Sequence, residues 1–331
     1  MRISVIGAGS FGTALAKLCA ENGHDVTIWS HSTDTAATIN ESHENSIYLK
    51  GIILPETIKA TTDFDEALQR AELLISATPT QVIREVYTQN RRVDRIKIPI
   101  VVASKGIEKK THKLVCDVFS EIFSADQKSN LFFLSGPSFA REMALKMPTA
   151  ITIAGFDETR LPEIQKVFHN DYFRAYATHD VIGVELGGAL KNVIAIATGI
   201  SDGLKLGNNT RAAIITRGLA EIARLGEKLG AKAITFMGLA GMGDLVLTCT
   251  GELSRNRTVG IKLAQGETLA EIEKNMRMVA EGVSTAESAH ELANSLGVDL
   301  PITEGVYQIL YQGKSPLTAL RELMSRSIKF E

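Results

Sequence analysis

The feature that most constrains this chain is a set of glycines between an apolar run and a helical one. Residues 3–6, Ile-Ser-Val-Ile, read as a buried strand. Gly7-Ala8-Gly9-Ser10-Phe11-Gly12 follows at once. Leu15, Leu18 and Cys19 then recur at helical spacing until Glu21-Asn22-Gly23 stops the helix. Strand, glycine-rich turn and helix in this order is what a dinucleotide-binding fold needs. Gly7 permits the tight turn, Gly9 lets a diphosphate approach the backbone, and Gly12 lets the helix pack close on the strand. The helix start offers unpaired N–H groups and the positive end of the helix dipole. The same stretch fails as a secretory leader. Its glycines make a poor helical core, and Arg2 is the single charge before it.

Further strands are expected at residues 25–30, 72–77, 98–104, 131–134, 149–153 and 172–176, with helices at 62–71, 81–90 and 111–123 between them. Residues 33–60 read as polar and irregular. Strands alternating with helices imply a doubly wound, mainly parallel sheet, an α/β Rossmann-type domain over residues 1–180. Ligands bind at the C-terminal ends of such strands, where Thr78-Pro79, Lys105-Gly106 and Gly136-Pro137-Ser138 fall. After about residue 181 strand patterns cease, so an all-α domain is expected over 181–331. Its helices are expected at 184–201, at 209–229 with Ala212, Ile215, Leu219 and Ile222 as one apolar face, and at 255–264, 268–274, 284–296, 302–312 and 315–324. Residues 235–244 read as a glycine-dense connector. Ser284 and Glu287 match a capping box, and Pro301 fits the start of a helix.

The chain has 331 residues, enough for two domains with full cores. A net charge of -2 gives no global field to attract nucleic acid or an anionic membrane, so any bound anion needs a local cluster. No apolar run approaches the ~20 residues of a membrane span. Cys19, Cys116 and Cys249 are scattered, which fits a reducing cytoplasm. The seven histidines show no metal-ligand spacing, and no metal is expected.

Five places can carry chemistry. Lys191 lies in a helix apolar nearly all round, so it either reaches an edge or faces a cavity; the glycines around it favour a cavity. A desolvated lysine can serve as a general acid or base near neutrality, and reduction of a ketone needs a proton donor. Asn192 beside it is either an exposed polar residue or a group orienting a substrate hydroxyl. Lys105 ends a strand at the binding edge and is otherwise a solvated loop lysine. Asp244 is either an active carboxylate or a turn or cap residue. Ser254-Arg255-Asn256 opens a helix with Ser254 as N-cap; a helix start plus an arginine fork suits phosphate, and a basic surface turn is the alternative. After the second strand the chain reads Trp29-Ser30-His31-Ser32. A carboxylate at the end of that strand would bond the ribose hydroxyls of NAD. Its absence favours NADP or dual use, with His31 either approaching a 2′-phosphate or standing in an exposed turn.

These motifs together resemble the bacterial-type NAD(P)-dependent glycerol-3-phosphate dehydrogenases. The resemblance runs over nearly the whole chain. It rests on Gly-Ala-Gly-Ser-Phe-Gly-Thr-Ala-Leu-Ala at 7–16, Ser-Lys-Gly-Ile-Glu at 104–108, Leu-Ser-Gly-Pro-Ser-Phe-Ala at 134–140 and Leu-Lys-Asn-Val at 190–193. It continues in Asn-Thr-Arg-Ala-Ala at 209–213, Gly-Leu-Ala-Gly-Met-Gly-Asp-Leu at 238–245, Ser-Arg-Asn at 254–256 and Val-Ala-Glu-Gly at 279–282. The resemblance implies that Ser10, Phe11, His31, Lys105, Ala140, Arg255, Val279 and Glu281 line an NADP or NAD cofactor, beside the three glycines. It implies that Lys105, Gly136, Ser138, Asp244, Ser254, Arg255 and Asn256 hold the phosphorylated substrate with Lys191 and Asn192. Lys191 would exchange the proton, with Lys105 and Asp244 setting its local field. A cytoplasmic homodimer supplying phospholipid synthesis follows by the same analogy. The alternatives are a reductase of β-hydroxy or α-keto acids and a non-catalytic NADP sensor; a sensor has no use for a buried lysine.

Overall fold

The computed structural model describes residues 1–89, 96–276 and 279–325. They gather into two compact units. One is Met1–Lys105 with Lys113–Glu185; the other is Gly106–His112 with the described residues from Leu186 onward. The expected end of the helix at 81–90, and the last residues of the 181–331 stretch, lie outside the described residues.

The first unit runs β1 (Arg2–Ile6), α1 (Ser10–Glu21), β2 (Asp25–Trp29), α2 (Thr33–Ser42), β3 (Lys59–Thr61), α3 (Phe64–Leu68), β4 (Leu73–Ser76) and α4 (Ile83–Thr88). It continues with β5 (Ile100–Val102), α5 (Val115–Ile122), β6 (Leu131–Ser135), α6 (Ala140–Ala144), β7 (Thr149–Gly155), α7 (Leu161–Phe168) and β8 (Phe173–Thr178). Among the described residues these strands form one sheet in the order β3-β2-β1-β4-β5-β6-β7-β8. Every neighbouring pair is parallel except β6 and β7. A parallel return needs a crossover of about a dozen residues or more, usually a full helix. The link from β6 to β7 holds only the five-residue α6 and no full crossover helix, and β7 comes back antiparallel. Ile3, Val5, Ile28, Leu73, Ile75, Val101 and Phe132 lie in the buried sheet core, with Leu15 and Leu18 of α1 among them.

Residues 33–60 are not irregular throughout. Ser32 caps α2 by accepting from the Thr35 N–H, Asp34 sits in its first turn, and Thr35, Ala36 and Ile39 are buried at helical spacing. Small polar residues on the outer face hide this pattern in the sequence. The helix expected at 111–123 begins only at Val115.

The second unit is helical: α8 (Val181–Gly203, whose first turn belongs to the first unit), α9 (Gly207–Lys228), α10 (Ala233–Phe236), α11 (Asp244–Thr250), α12 (Arg255–Ala264), α13 (Leu269–Asn275), α14 (Glu281–Leu296), α15 (Pro301–Tyr311) and α16 (Pro316–Met324). A π-helical turn, Leu239–Gly243, precedes α11, so the 235–244 stretch is wound rather than a plain connector. α14 starts at Glu281, which puts Ser284 inside the helix; the expected capping box does not form. A true one forms at α13, between Thr268 and Glu271. Along α9, Leu219 and Ile222 are buried while Ala212 is exposed, so the expected apolar face holds only in its second half. α8 corrects the membrane expectation as it was argued: it is 23 residues long and apolar enough to span a bilayer, but 89% of its apolar window is buried within the protein. Val193, Ile196 and Ile200 of α8 pack with Val259, Leu263, Ile272, Val283, Ala286, Val306 and Leu310 as the core of this unit.

Candidate active site

In the first unit the glycine turn has the geometry its sequence demands. Gly7 has φ +118°, which a side chain would strain, and a Cβ on Gly12 would stand 2.0 Å from the Gly7 carbonyl oxygen. Gly9 is different. It is the N-cap of α1, and nothing lies within 4 Å of where its Cβ would be. No side chain caps this helix start and no acidic residue stands in its first turn. An open, uncapped, acid-free helix N-terminus fits the diphosphate of a dinucleotide. The Ser10 hydroxyl donates to Tyr48 O at 2.6 Å.

Next to the turn, Lys105 Nζ lies 5.7 Å from the centre of the Phe11 ring and 3.4 Å from Gly136 O. The Ser138 hydroxyl donates to the same Gly136 carbonyl at 2.9 Å. Gly136 itself has φ +137° and packs on Ile151. Thus Phe11, Lys105, Gly136 and Ser138 come together beyond the strand ends, and Ala140 opens α6 a few residues on. His31 is exposed just past β2, whereas Ser30 is 1% exposed and bonded to Ser32. Asp34, exposed in the first turn of α2, is the nearest acid along the chain to His31.

In the second unit, the Lys191 side chain is 9% exposed. Its Nζ donates to Asp244 Oδ1 at 2.5 Å and to Thr248 Oγ1 at 2.8 Å. The Thr248 hydroxyl in turn donates to Asp244 O at 2.7 Å. Asp244 and Thr248 stand one turn apart on α11, so both reach the same lysine on α8. The pair is a buried ion pair, and breaking such a pair by removing one partner is costly. The glycines around Lys191 do not mark a cavity at Gly187. A Cβ there would lie 2.4 Å from Ala240 O. That glycine lets α8 approach the π-helical turn; it does not open space beside the lysine.

Asn192 and Asn256 are both buried and joined, Asn256 Nδ2 donating to Asn192 Oδ1 at 2.8 Å. Asn256 Oδ1 accepts from the Gly282 N–H at 2.9 Å. They tie α8, α12 and α14 together. Ser254 is the N-cap of α12, accepting from Arg257 N at 3.3 Å. Arg255, exposed at the first position of α12, interacts electrostatically with Glu281 at the first position of α14. Val279, 52% exposed, precedes that helix. Sequence reasoning missed Thr248. The signal was there in its four-residue spacing from Asp244, but only on a helix that the glycine-dense reading had not extended.

A glycine-turn α/β unit with an anion-ready helix start, followed by a helical unit with a buried lysine–carboxylate pair, defines a nicotinamide-dinucleotide oxidoreductase. The family models for the N-terminus and C-terminus of NAD-dependent glycerol-3-phosphate dehydrogenase match residues 2–160 and 180–321. The chain therefore belongs to the NAD-dependent glycerol-3-phosphate dehydrogenase family. Two relatives named glycerol-3-phosphate dehydrogenase, NAD(P)+, illustrate the closeness. That of Citrifermentans bemidjiense is 54% identical over 330 residues, covering 100% of this chain and 98% of its own. That of Leptospira biflexa is 50% identical over 331 residues, covering 100% and 99%. The crystal structure of glycerol-3-phosphate dehydrogenase from Coxiella burnetii superposes with a TM-score of 0.93 at 38% identity, covering 98% of this chain and 99% of that one. The chain is an NAD(P)-linked oxidoreductase of this family.

Proposed function

We propose that the chain interconverts dihydroxyacetone phosphate and sn-glycerol 3-phosphate. The observation that carries the reading is Lys191, buried and held by Asp244 and Thr248. NAD(P)H, when bound, supplies the hydride that reduces the carbonyl carbon. Gly7, Gly9 and Gly12 with the first turn of α1 would hold its diphosphate; Ser10, Phe11, His31, Lys105, Ala140, Arg255, Val279 and Glu281 would line the rest. As charge builds on the substrate oxygen, the Lys191 ammonium offers it a hydrogen bond and then a proton. Loss of that proton leaves the Asp244 carboxylate without its cation, so Asp244 favours recharging of the amine. In the reverse direction the neutral amine takes the hydroxyl proton. Thr248 and Asp244 fix where Nζ stands. Arg255, with the first N–H groups of α12, supplies the local cation that a phosphate needs in a chain of net charge -2. Lys105, Gly136, Ser138, Asn192, Ser254 and Asn256 complete the substrate set.

Three free, buried cysteines support a reducing, cytoplasmic setting. A homodimer and a role in phospholipid synthesis belong to the same reading, and light scattering on the purified chain tests the first. No acid ends β2, so NADPH should serve at least as well as NADH, and His31→Asp should move preference towards NADH. The test is absorbance at the NADPH band with dihydroxyacetone phosphate against pyruvate-type acids, then with NADH. Turnover of the acids and not of the phosphate would overturn the reading; use of NADH alone would overturn the cofactor part.

A further inference from the structure

The segment between α2 and β3 returns to the glycine turn, and one side chain in it does something the mechanism above does not use. Asn45 is 0% exposed. Its amide Nδ2 donates to Ala8 O at 2.8 Å and to Thr13 Oγ1 at 2.8 Å. Its Oδ1 accepts from the Tyr48 N–H at 3.1 Å. Three residues on, Tyr48 O accepts from the Ser10 hydroxyl at 2.6 Å. The segment is itself braced. Leu54 N donates to His43 O at 2.7 Å, Gly51 N to Glu44 Oε1 at 2.7 Å, and Arg141 Nη1 to Lys50 O at 2.9 Å. So a stiff loop presses one fully satisfied carboxamide against the inside of Gly7-Ala8-Gly9-Ser10-Phe11-Gly12.

The carbonyl of Ala8 and the N–H of Gly9 belong to one trans peptide plane and point in opposite directions. A hydrogen bond that draws Ala8 O towards the buried Asn45 therefore aims the Gly9 N–H the opposite way, away from that side chain. Glycine at position 9 gives this plane little intrinsic preference. Were it to flip, a carbonyl oxygen would face the incoming anion. We infer that Asn45 is a positioning residue for the cofactor: it locks the Ala8–Gly9 peptide so that its N–H, and not its carbonyl, faces the dinucleotide diphosphate. The inference rests on the reading that this turn holds that diphosphate.

The test compares ligands with and without a diphosphate, at a temperature where every variant is folded. Hydrogen bonds to charged groups are worth enough that misaiming one should weaken binding about tenfold. Asn45→Ala should raise the Kd of NADPH and of ADP-ribose by that factor while leaving adenosine 2′-phosphate, which has no diphosphate, little changed. Asn45→Asp keeps the acceptor for Tyr48 but removes both donors, and should lose at least as much. In turnover, KM for NADPH should rise by more than kcat falls. Should the Asn45 variants fail to fold, Thr13→Val removes, at nearly constant shape, one partner of the amide and the 3.4 Å hydrogen bond that the Thr13 hydroxyl gives to Ala8 O, and should show the same selectivity. An unchanged NADPH Kd in a folded variant, or equal losses for all three ligands, overturns the inference. Failure of the wild type to bind NADPH and ADP-ribose overturns the dinucleotide reading and the inference with it.

Discussion

At the scale of single residues, the site is a set of charges whose partners are set by the fold. Arg255 is the clearest test of substrate recognition. Charged hydrogen bonds are worth roughly 1.5–3 kcal/mol, so Arg255→Ala should weaken dihydroxyacetone phosphate by about 10–150-fold. Unphosphorylated dihydroxyacetone, a poor substrate, should lose far less kcat/KM, and Arg255→Lys should recover only part because a point charge replaces a planar fork. Equal losses for both substrates would remove Arg255 from the phosphate site. A second residue sets a pH dependence of stability. Glu185 Oε1 accepts from Cys116 N at 3.0 Å, while its Oε2 has no hydrogen-bond partner among the described residues. Burial, reinforced by nearby Asp117, pushes its carboxyl from 4.5 up to about 8. The folded state then keeps a proton that the unfolded state gives up, so stability falls as pH rises through that window. Glu221, pushed up to about 7 by burial, acts in the same direction. Thermal midpoints should therefore decline more steeply from pH 4.5 to 8 in the wild type than in Glu185→Gln. Parallel declines would show that Glu185 ionises without cost.

At the scale of elements, what could be read from the sequence was what is local. β1, the glycine turn and α1 announce themselves within twenty-odd residues, and α12 with its Ser254 cap lies where its pattern put it. α2 was hidden because its exposed residues are mostly small or polar, Thr33, Asp34, Ala37, Asn40, Glu41 and Ser42, and β7 gave no sign of its direction because direction depends on whether the link before it folds into a full crossover helix. Long-range partners were beyond reach. Lys191 and Asp244 meet across 53 residues of chain, and Asn192 and Asn256 across 64. The start of α15 shows the same limit. Pro301 at its first turn was legible, but the cap comes from Glu221 on α9, whose carboxylate accepts from Ile302 N at 2.6 Å and Thr303 N at 3.1 Å. Leu300, the N-cap residue, makes no side-chain cap bond. Glu221→Ala leaves both backbone donors buried without their acceptor and should cost roughly 2–4 kcal/mol, read by urea unfolding. A change within about 0.5 kcal/mol, the size of an ordinary surface substitution, would mean that the cap is dispensable.

At the scale of the whole molecule, the proposed reaction divides between two compact units. In that proposed reaction the first takes the cofactor at its glycine turn and the second supplies the lysine that moves the proton. Binding and turnover should therefore be separable by one substitution. Lys191→Met keeps the length of an apolar stem and removes the ammonium. The variant should fold, although Asp244 loses its cation and some stability is lost with it; Lys191→Met with Asp244→Asn removes that charge and controls for it. The decisive measurement is NADPH affinity by fluorescence beside steady-state reduction of dihydroxyacetone phosphate, on the same preparation. A positioned general acid contributes ~10²–10⁴-fold, and the loss should fall mainly on kcat because the proton is needed in the transition state. The account predicts NADPH affinity near that of the wild type with turnover reduced by that factor. A folded Lys191→Met enzyme that keeps more than about a tenth of wild-type kcat would contradict it, and would leave Lys191 a structural partner of Asp244.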